Sequence, residues 1–141
     1  MSVTHAETFG HTLQTTHIWL NDLMAELGWD DPHKTYLALK ASLHTLRDRL
    51  TVAEVAHLGA QLPMLIRGAY YEGWSPAGKP VKDRHKEDFV AHVQRYFRKD
   101  EDINPERIVR AVFKVLWKRV TAGEIEDIKQ ILPPELRLLW P

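Results

Sequence analysis

The chain is expected to be all-α: a compact helical bundle formed by tandem duplication of a four-helix unit, two long and two short helices per copy, with pseudo-twofold symmetry. Three observations point there. Apolar residues recur at helical spacing, capping residues stand where those runs begin, and the second half repeats the first without a gap. At an offset of 70 residues, Leu62-Pro63 falls over Leu132-Pro133, and Ala41, Leu46, Arg49, Thr51, Glu54 and Arg67 fall over identical residues. Apolar character carries across too, with Trp19 over Phe89, Leu23 over Val93, Leu27 over Phe97, Leu39 over Val109, Leu43 over Phe113 and Val55 over Ile125. Two copies are too few for an open solenoid, so they are expected to pack face to face. A chain of 141 residues then reads as a single domain, 1–141, with repeat units at 9–71 and 85–141 and a linker loop at 72–84.

The elements follow in order. Phe9, Leu13, His17, Leu20, Met24 and Leu27 mark the first helix, and Tyr36, Leu39, Leu43, Leu46 and Leu50 the second. Asp31-Pro32 and Asn104-Pro105 each place a capping side chain before a proline, whose fixed φ and missing N–H suit the first helical position. Thr51-Val52-Ala53-Glu54 and Thr121-Ala122-Gly123-Glu124 match the capping box, in which hydroxyl and carboxylate satisfy each other's orphan amides, and each opens a third helix. Leu50 with Val55, and Val120 with Ile125, are spaced as hydrophobic staples across those starts. Pro63 and Pro133 stop the third helices and open short final ones. The segment from Glu72 to Pro80, with two glycines and two prolines, is a loop by turn chemistry.

Composition narrows the function classes. Lys plus Arg equals Asp plus Glu at 19 each, so no net positive field draws polyphosphate, and the absence of cysteine excludes disulfides, thiolate metal sites and cysteine nucleophiles. No run approaches the roughly 18 apolar residues of a membrane span, and Met1 to Phe9 lacks a secretory pattern, so the cytoplasm is the expected location. Charge is uneven: residues 1–72 carry −3, residues 73–119 carry +5 and residues 120–141 carry −2.

The runs Leu46-Arg47-Asp48-Arg49-Leu50-Thr51, His57-Leu58-Gly59-Ala60-Gln61-Leu62-Pro63 and Arg67-Gly68-Ala69-Tyr70-Tyr71-Glu72-Gly73-Trp74, with Gly123-Glu124-Ile125-Glu126-Asp127 and the closing Leu132-Pro133, resemble a bacterial family catalogued as domain of unknown function family 2267. The resemblance covers nearly the whole chain. It implies the all-helical duplicated fold, and it brings no activity or catalytic residue.

Candidate chemistry lies in four places. Arg67, Tyr71 and Trp74 combine aromatics that carry polar tips with a guanidinium, the residue types of binding hot spots. Tyr71 and Trp74 imply a binding surface if exposed and clasp the two copies if buried; Tyr70, opposite Trp140 in the repeat, points to the core. Lys79, Lys82, Arg84 and Lys86, followed by Arg95, Arg98 and Lys99, offer a basic patch for phosphate, nucleic acid or an acidic partner, though Glu87, Asp88, Asp100, Glu101 and Asp102 interleave as on a solvated helix face. Glu54 and His57, matched by Glu124 and Asp127 in the second copy, have the i, i+3 spacing of carboxylate–histidine metal ligands, against which stands the use of both glutamates as caps. His85, Asp88 and His92 share one face of a helix as well, beside the apolar stripe of Phe89, Val93 and Tyr96. No phosphate loop, nucleophile elbow, zincin motif or dinucleotide fingerprint occurs, so neither a conventional enzyme nor a cofactor is expected. The expectation is a module that binds a protein partner or a second copy of itself through Arg67, Tyr71, Trp74 and the basic stretch, with nucleic-acid or phosphate-ligand binding, and then metal binding, as alternatives.

Overall fold

Asp31 and Asn104 cap the helices that their prolines open. In the computed structural model the Asp31 carboxylate accepts from the amides of His33 and Lys34, and the Asn104 side chain accepts from Arg107, so each covers donors that the first turn leaves bare. The structure describes residues 2–98 and 102–141, with side chains from residue 7; Lys99, Asp100 and Glu101 of the central charged stretch lie outside the described residues. The helices are α1 (Ser2–Leu27), α2 (Pro32–Arg47), α3 (Val52–Gln61), α4 (Met64–Tyr71), α5 (Lys86–Gln94), α6 (Pro105–Arg119), α7 (Ala122–Ile131) and α8 (Pro134–Arg137), with a 3₁₀ turn at Arg95–Phe97 after α5. Among the described residues there is no strand, and no helix is long and apolar enough to cross a membrane.

Local chemistry ends α1 at Gly28. Its φ of +69° is open to glycine at little cost, and it lets the Trp29 amide reach back to the Met24 carbonyl in a Schellman closure. The threonine caps form as expected, Thr51 accepting from the Glu54 amide and Thr121 from that of Glu124. The reciprocal half of the capping box differs. The Thr121 amide donates not to Glu124 but to the side-chain carbonyl of Gln61 on α3, at 2.9 Å. Gln61 also donates to the Thr121 hydroxyl at 3.0 Å, so one amide side chain replaces the expected carboxylate and ties α3 to the start of α7.

The core is one cluster to which both halves contribute. α2 and α6 pack on each other; α1 packs against both of them, and so does α5, while α3 meets α7 and α4 returns against α2 and α1. The apolar pairs seventy residues apart are buried in both members, from Trp19 with Phe89 to Val55 with Ile125. Trp140 stacks on Phe113 at 4.0 Å between centroids, and Phe89 meets the same ring edge-on at 6.0 Å. Tyr70 is wholly buried, its hydroxyl donating to the Val55 carbonyl at 2.8 Å. Each such side chain contributes roughly 1.5–3 kcal/mol of transfer free energy.

Five residues of the expected stripes stand outside this core: Phe9, Leu13, His17, Tyr36 and Tyr96 are exposed. Length explains the first two. The 26 residues of α1 span about 39 Å, whereas the 16 of α2 and 15 of α6 span only about 24 and 22 Å, so the first turns of α1 run past the helices they would pack on. The second half has no equally long opening helix: α5 has 9 residues and passes into the 3₁₀ turn.

Gly59 on α3 accommodates the tip of Tyr71, since a Cβ there would lie 2.5 Å from the tyrosine oxygen and 2.9 Å from two ring carbons, whereas Gly68 on α4 faces open space. Gly59→Ala is therefore expected to displace the Tyr71 ring and cost about 1–3 kcal/mol, while Gly68→Ala gains about 0.5–1 kcal/mol through lower unfolded-state entropy. Urea unfolding followed by tryptophan fluorescence distinguishes the two.

Candidate functional site

The segment after α4 is fastened from within. Arg67 donates through Nε to the Gly59 carbonyl at 2.7 Å and through Nη2 to that of Leu62 at 2.8 Å, closing the C-terminal end of α3. Arg137 makes one corresponding contact on α7, its Nε donating to the Leu132 carbonyl at 2.8 Å. Tyr71 is half-buried, edge-on to Tyr70 at 4.9 Å and to Trp74 at 6.1 Å between centroids. Trp74 is half-buried against the core, and its ring N–H is buried without an acceptor among the described residues. Tyr71 and Trp74 are thus spent mainly on internal contacts, while Arg67 remains exposed as it closes α3. Of the basic residues, Lys86 pairs with Glu106 at 2.9 Å; Lys82 and Arg84 are exposed and Lys79 is half-exposed.

Beyond Trp74 the loop lies over a cavity. Its course is set by the end of α2: the Val81 amide donates to the Asp48 carbonyl at 2.8 Å, and Arg49 Nε donates to the Asp83 carbonyl at 2.7 Å. Underneath is a space of about 230 Å³ lined by His44, Thr45, Asp48, Arg49, Val81, Asp83, Phe89, His92, Arg95 and Tyr96. Its walls come from α2, the loop, α5 and the 3₁₀ turn, so it exists only when the two halves are assembled. Both acids in the lining have partners. Asp48 accepts from Arg47 at 2.8 Å, and Asp83 faces His92 Nε2 at 2.7 Å. Arg95 Nη1 lies 3.0 Å from His92 Nδ1; an arginine can only donate, so Nδ1 accepts and the ring proton sits on Nε2, toward Asp83. Arg49 uses Nε on the loop and is almost fully buried, which together with the nearby Arg84 lowers its pKa. The cavity therefore has apolar walls in Phe89 and Val81 and two guanidinium groups that form no ion pair with its carboxylates, although the Asp83 charge bears on Arg49.

His44 closes the inner end. Its Nε2 is 2.6 Å from the Ala69 carbonyl, which can only accept, so Nε2 carries the proton and Nδ1 accepts from the Tyr96 hydroxyl at 2.9 Å. Burial pushes the His44 pKa below its ordinary value, reinforced by Arg47 and Lys40 and opposed by the Ala69 bond and Asp48.

The metal-type residues are only partly brought together. Ligand atoms of Glu54, His57 and Glu124 lie within 4.8 Å of one another where α3 meets α7, and His57 Nδ1 is 3.5 Å from Glu54 Oε2. Asp127 is exposed and is not part of this group, although its charge bears on Glu124. The expectation that capping occupies both carboxylates is corrected here: Gln61 takes the Thr121 amide, and Glu54 and Glu124 turn toward each other. Burial, then the hydrogen bond and charge of Glu54, push the Glu124 pKa up to about 8. The histidines of α5 do not converge, because His85 faces Glu135 at 2.6 Å and His92 faces Asp83 at 2.7 Å.

Residues 16–139 match the model of a family described as an uncharacterized conserved protein, DUF2267. The chain belongs to the DUF2267 family. No curated protein matches it. Membership covers nearly every element of the bundle, α1 from residue 16 through α8, and thus both halves of the cavity wall and both glutamates.

Sequence reasoning missed most of the cavity. Arg49 stood out only as a repeated residue within the family-like run 46–51, and His44 and Thr45 carried no spacing signal. His92 and Arg95 were noted on a helix face and in a basic stretch, but nothing local linked them to α2.

The depressed His44 pKa sets a sign. Between the unfolded value of 6.5 and the lower folded one the unfolded chain binds more protons, so this group's contribution to stability is full at neutral pH and is lost as pH falls through that window. Thermal unfolding from pH 7 down to pH 5 is expected to show the loss, and His44→Gln to remove that part of it.

Proposed function

We propose that this DUF2267 chain is a cytoplasmic ligand-binding module whose cavity under the 72–85 loop takes a small anionic molecule with an apolar end. One observation carries the reading: Arg49 and Arg95 line, with Phe89, Val81 and Tyr96, one partly open space between the two halves. A phosphate or carboxylate would meet the guanidinium forks, which suit planar and tetrahedral oxyanions, while the apolar end lies on Phe89 and Val81. Size sets an upper limit, because about 230 Å³ falls below the roughly 300–1,000 Å³ of pockets for drug-sized ligands. A single ring with one acidic group is the class that suits it, and a nucleic-acid strand is not.

The same reading treats the chain as one domain built by duplication, units 9–71 and 85–141 about a pseudo-twofold axis. What supports it is the recurrence of caps, arginine closures and buried pairs seventy residues apart.

Isothermal titration with phenyl phosphate tests the pocket. Saturable binding is expected, weaker for inorganic phosphate, and reduced about tenfold or more by Arg49→Gln or Arg95→Gln, since each removes a charge-assisted contact of about 1.5–3 kcal/mol. Absence of saturable binding at millimolar concentrations, or variants that bind as the parent does, would refute it.

Self-association is the second reading, favoured by an apolar surface away from the pocket. Phe9 and Leu13 are exposed one turn apart on α1, at 61% and 53%. Sedimentation equilibrium is expected to show a dimer that Phe9→Ser with Leu13→Ser returns to monomer; a parent chain that is already monomeric would remove this reading.

A further inference from the structure

Glu54 and Glu124 sit at the third position of α3 and α7, where threonine caps fix both backbones and Gln61 ties one helix to the other. Each glutamate is only 7% exposed. Each retains a buried Oε1 without a hydrogen-bond partner among the described residues. Like charges placed side by side out of water are unfavourable unless something positive stands between them.

We propose that Glu54, His57 and Glu124 form a binding site for one divalent first-row transition ion, of the zinc or manganese class, clamped between α3 and α7. The three ligand atoms already lie within 4.8 Å of one another. Bonds of about 2.0–2.2 Å to a tetrahedral ion put ligand atoms about 3.4 Å apart, so the group must close by roughly 1 Å, which rotation of the carboxylates can supply. The His57–Glu54 separation of 3.5 Å is at that spacing now. An imidazole beside two carboxylates selects a transition ion over calcium or magnesium, which call for an all-oxygen shell of six or more ligands. The glutamates are buried while His57 is 64% exposed, so the ion has a solvent-facing entrance and a coordination position left for water. None of these residues lines the cavity under the loop. The two proposals can therefore fail separately.

Zinc chloride and, separately, manganese chloride would be titrated at neutral pH into the full chain, prepared without a histidine tag and stripped with chelator, by calorimetry and by thermal unfolding. One ion per chain is expected, with a raised Tm. Glu54→Gln and Glu124→Gln should each weaken binding by at least about tenfold, no less than the loss of a supporting contact around a metal would. His57→Ala should weaken zinc more than manganese, while His11→Ala with His17→Ala should change nothing. No saturable binding to the parent chain overturns the proposal. So does an affinity unchanged in His57→Ala, an exposed substitution that decides the matter even if the glutamine variants do not fold. Loss of binding in the His11, His17 variant would place the ion elsewhere and overturn it equally.

Discussion

Two threonine hydroxyls set the direction in which the chain leaves its central helices. Thr51 and Thr121 each accept the amide three residues on, so α3 leaves α2, and α7 leaves α6, by the same short turn. The buried staple residues Leu50, Val55, Val120 and Ile125 hold those turns from below. The turns bring α3 against α7, the Leu-Pro stops that follow send α4 and α8 back, and Tyr70 and Trp140 thereby return to the core. Redirecting either turn would move the glutamates, the arginine closures and both aromatics together.

The meeting of α3 and α7 is also where the fold departs from apolar packing. A capping box would have used each glutamate on its own helix. Instead Gln61 reaches across and takes the Thr121 amide, which releases the Glu124 carboxylate toward Glu54. Replacing a local bond by a bond between halves makes the junction specific to the assembled bundle. It also leaves two acids buried, an arrangement that costs stability unless a proton or a cation is held with them.

Apolar character shared by positions seventy residues apart is a better guide to the core than helical periodicity. Phe9, Leu13 and Tyr36 fit the apolar stripes of their helices yet are exposed, and the residues seventy further on are Lys79, Asp83 and Glu106. Trp19, Leu23 and Leu27 fall over Phe89, Val93 and Phe97, and all six are buried. Periodicity reports only that a face is apolar; whether a neighbour covers it depends on how far the neighbouring helices extend. Arg67, Tyr71 and Trp74 show the same gap from the other side. Their residue types mark them as binding groups, yet Tyr71 and Trp74 turn inward, with Tyr71 packed on Gly59, and Arg67, though exposed, is tied to the last carbonyls of α3.

From the residues alone came the helical class, the helix starts, the threonine and proline punctuation and the paired core positions. Each depends on interactions within a few residues or on direct comparison of the two halves. The tertiary structure alone decided that His44, Arg49, His92, Arg95 and Tyr96 share one cavity, and that Glu54 faces Glu124 rather than its own cap. Those groups lie up to 70 positions apart in the chain, and no local spacing encodes which faces of α2, α5, α3 and α7 meet. Their proximity comes from the packing of the halves, set by the burial of all the apolar pairs at once.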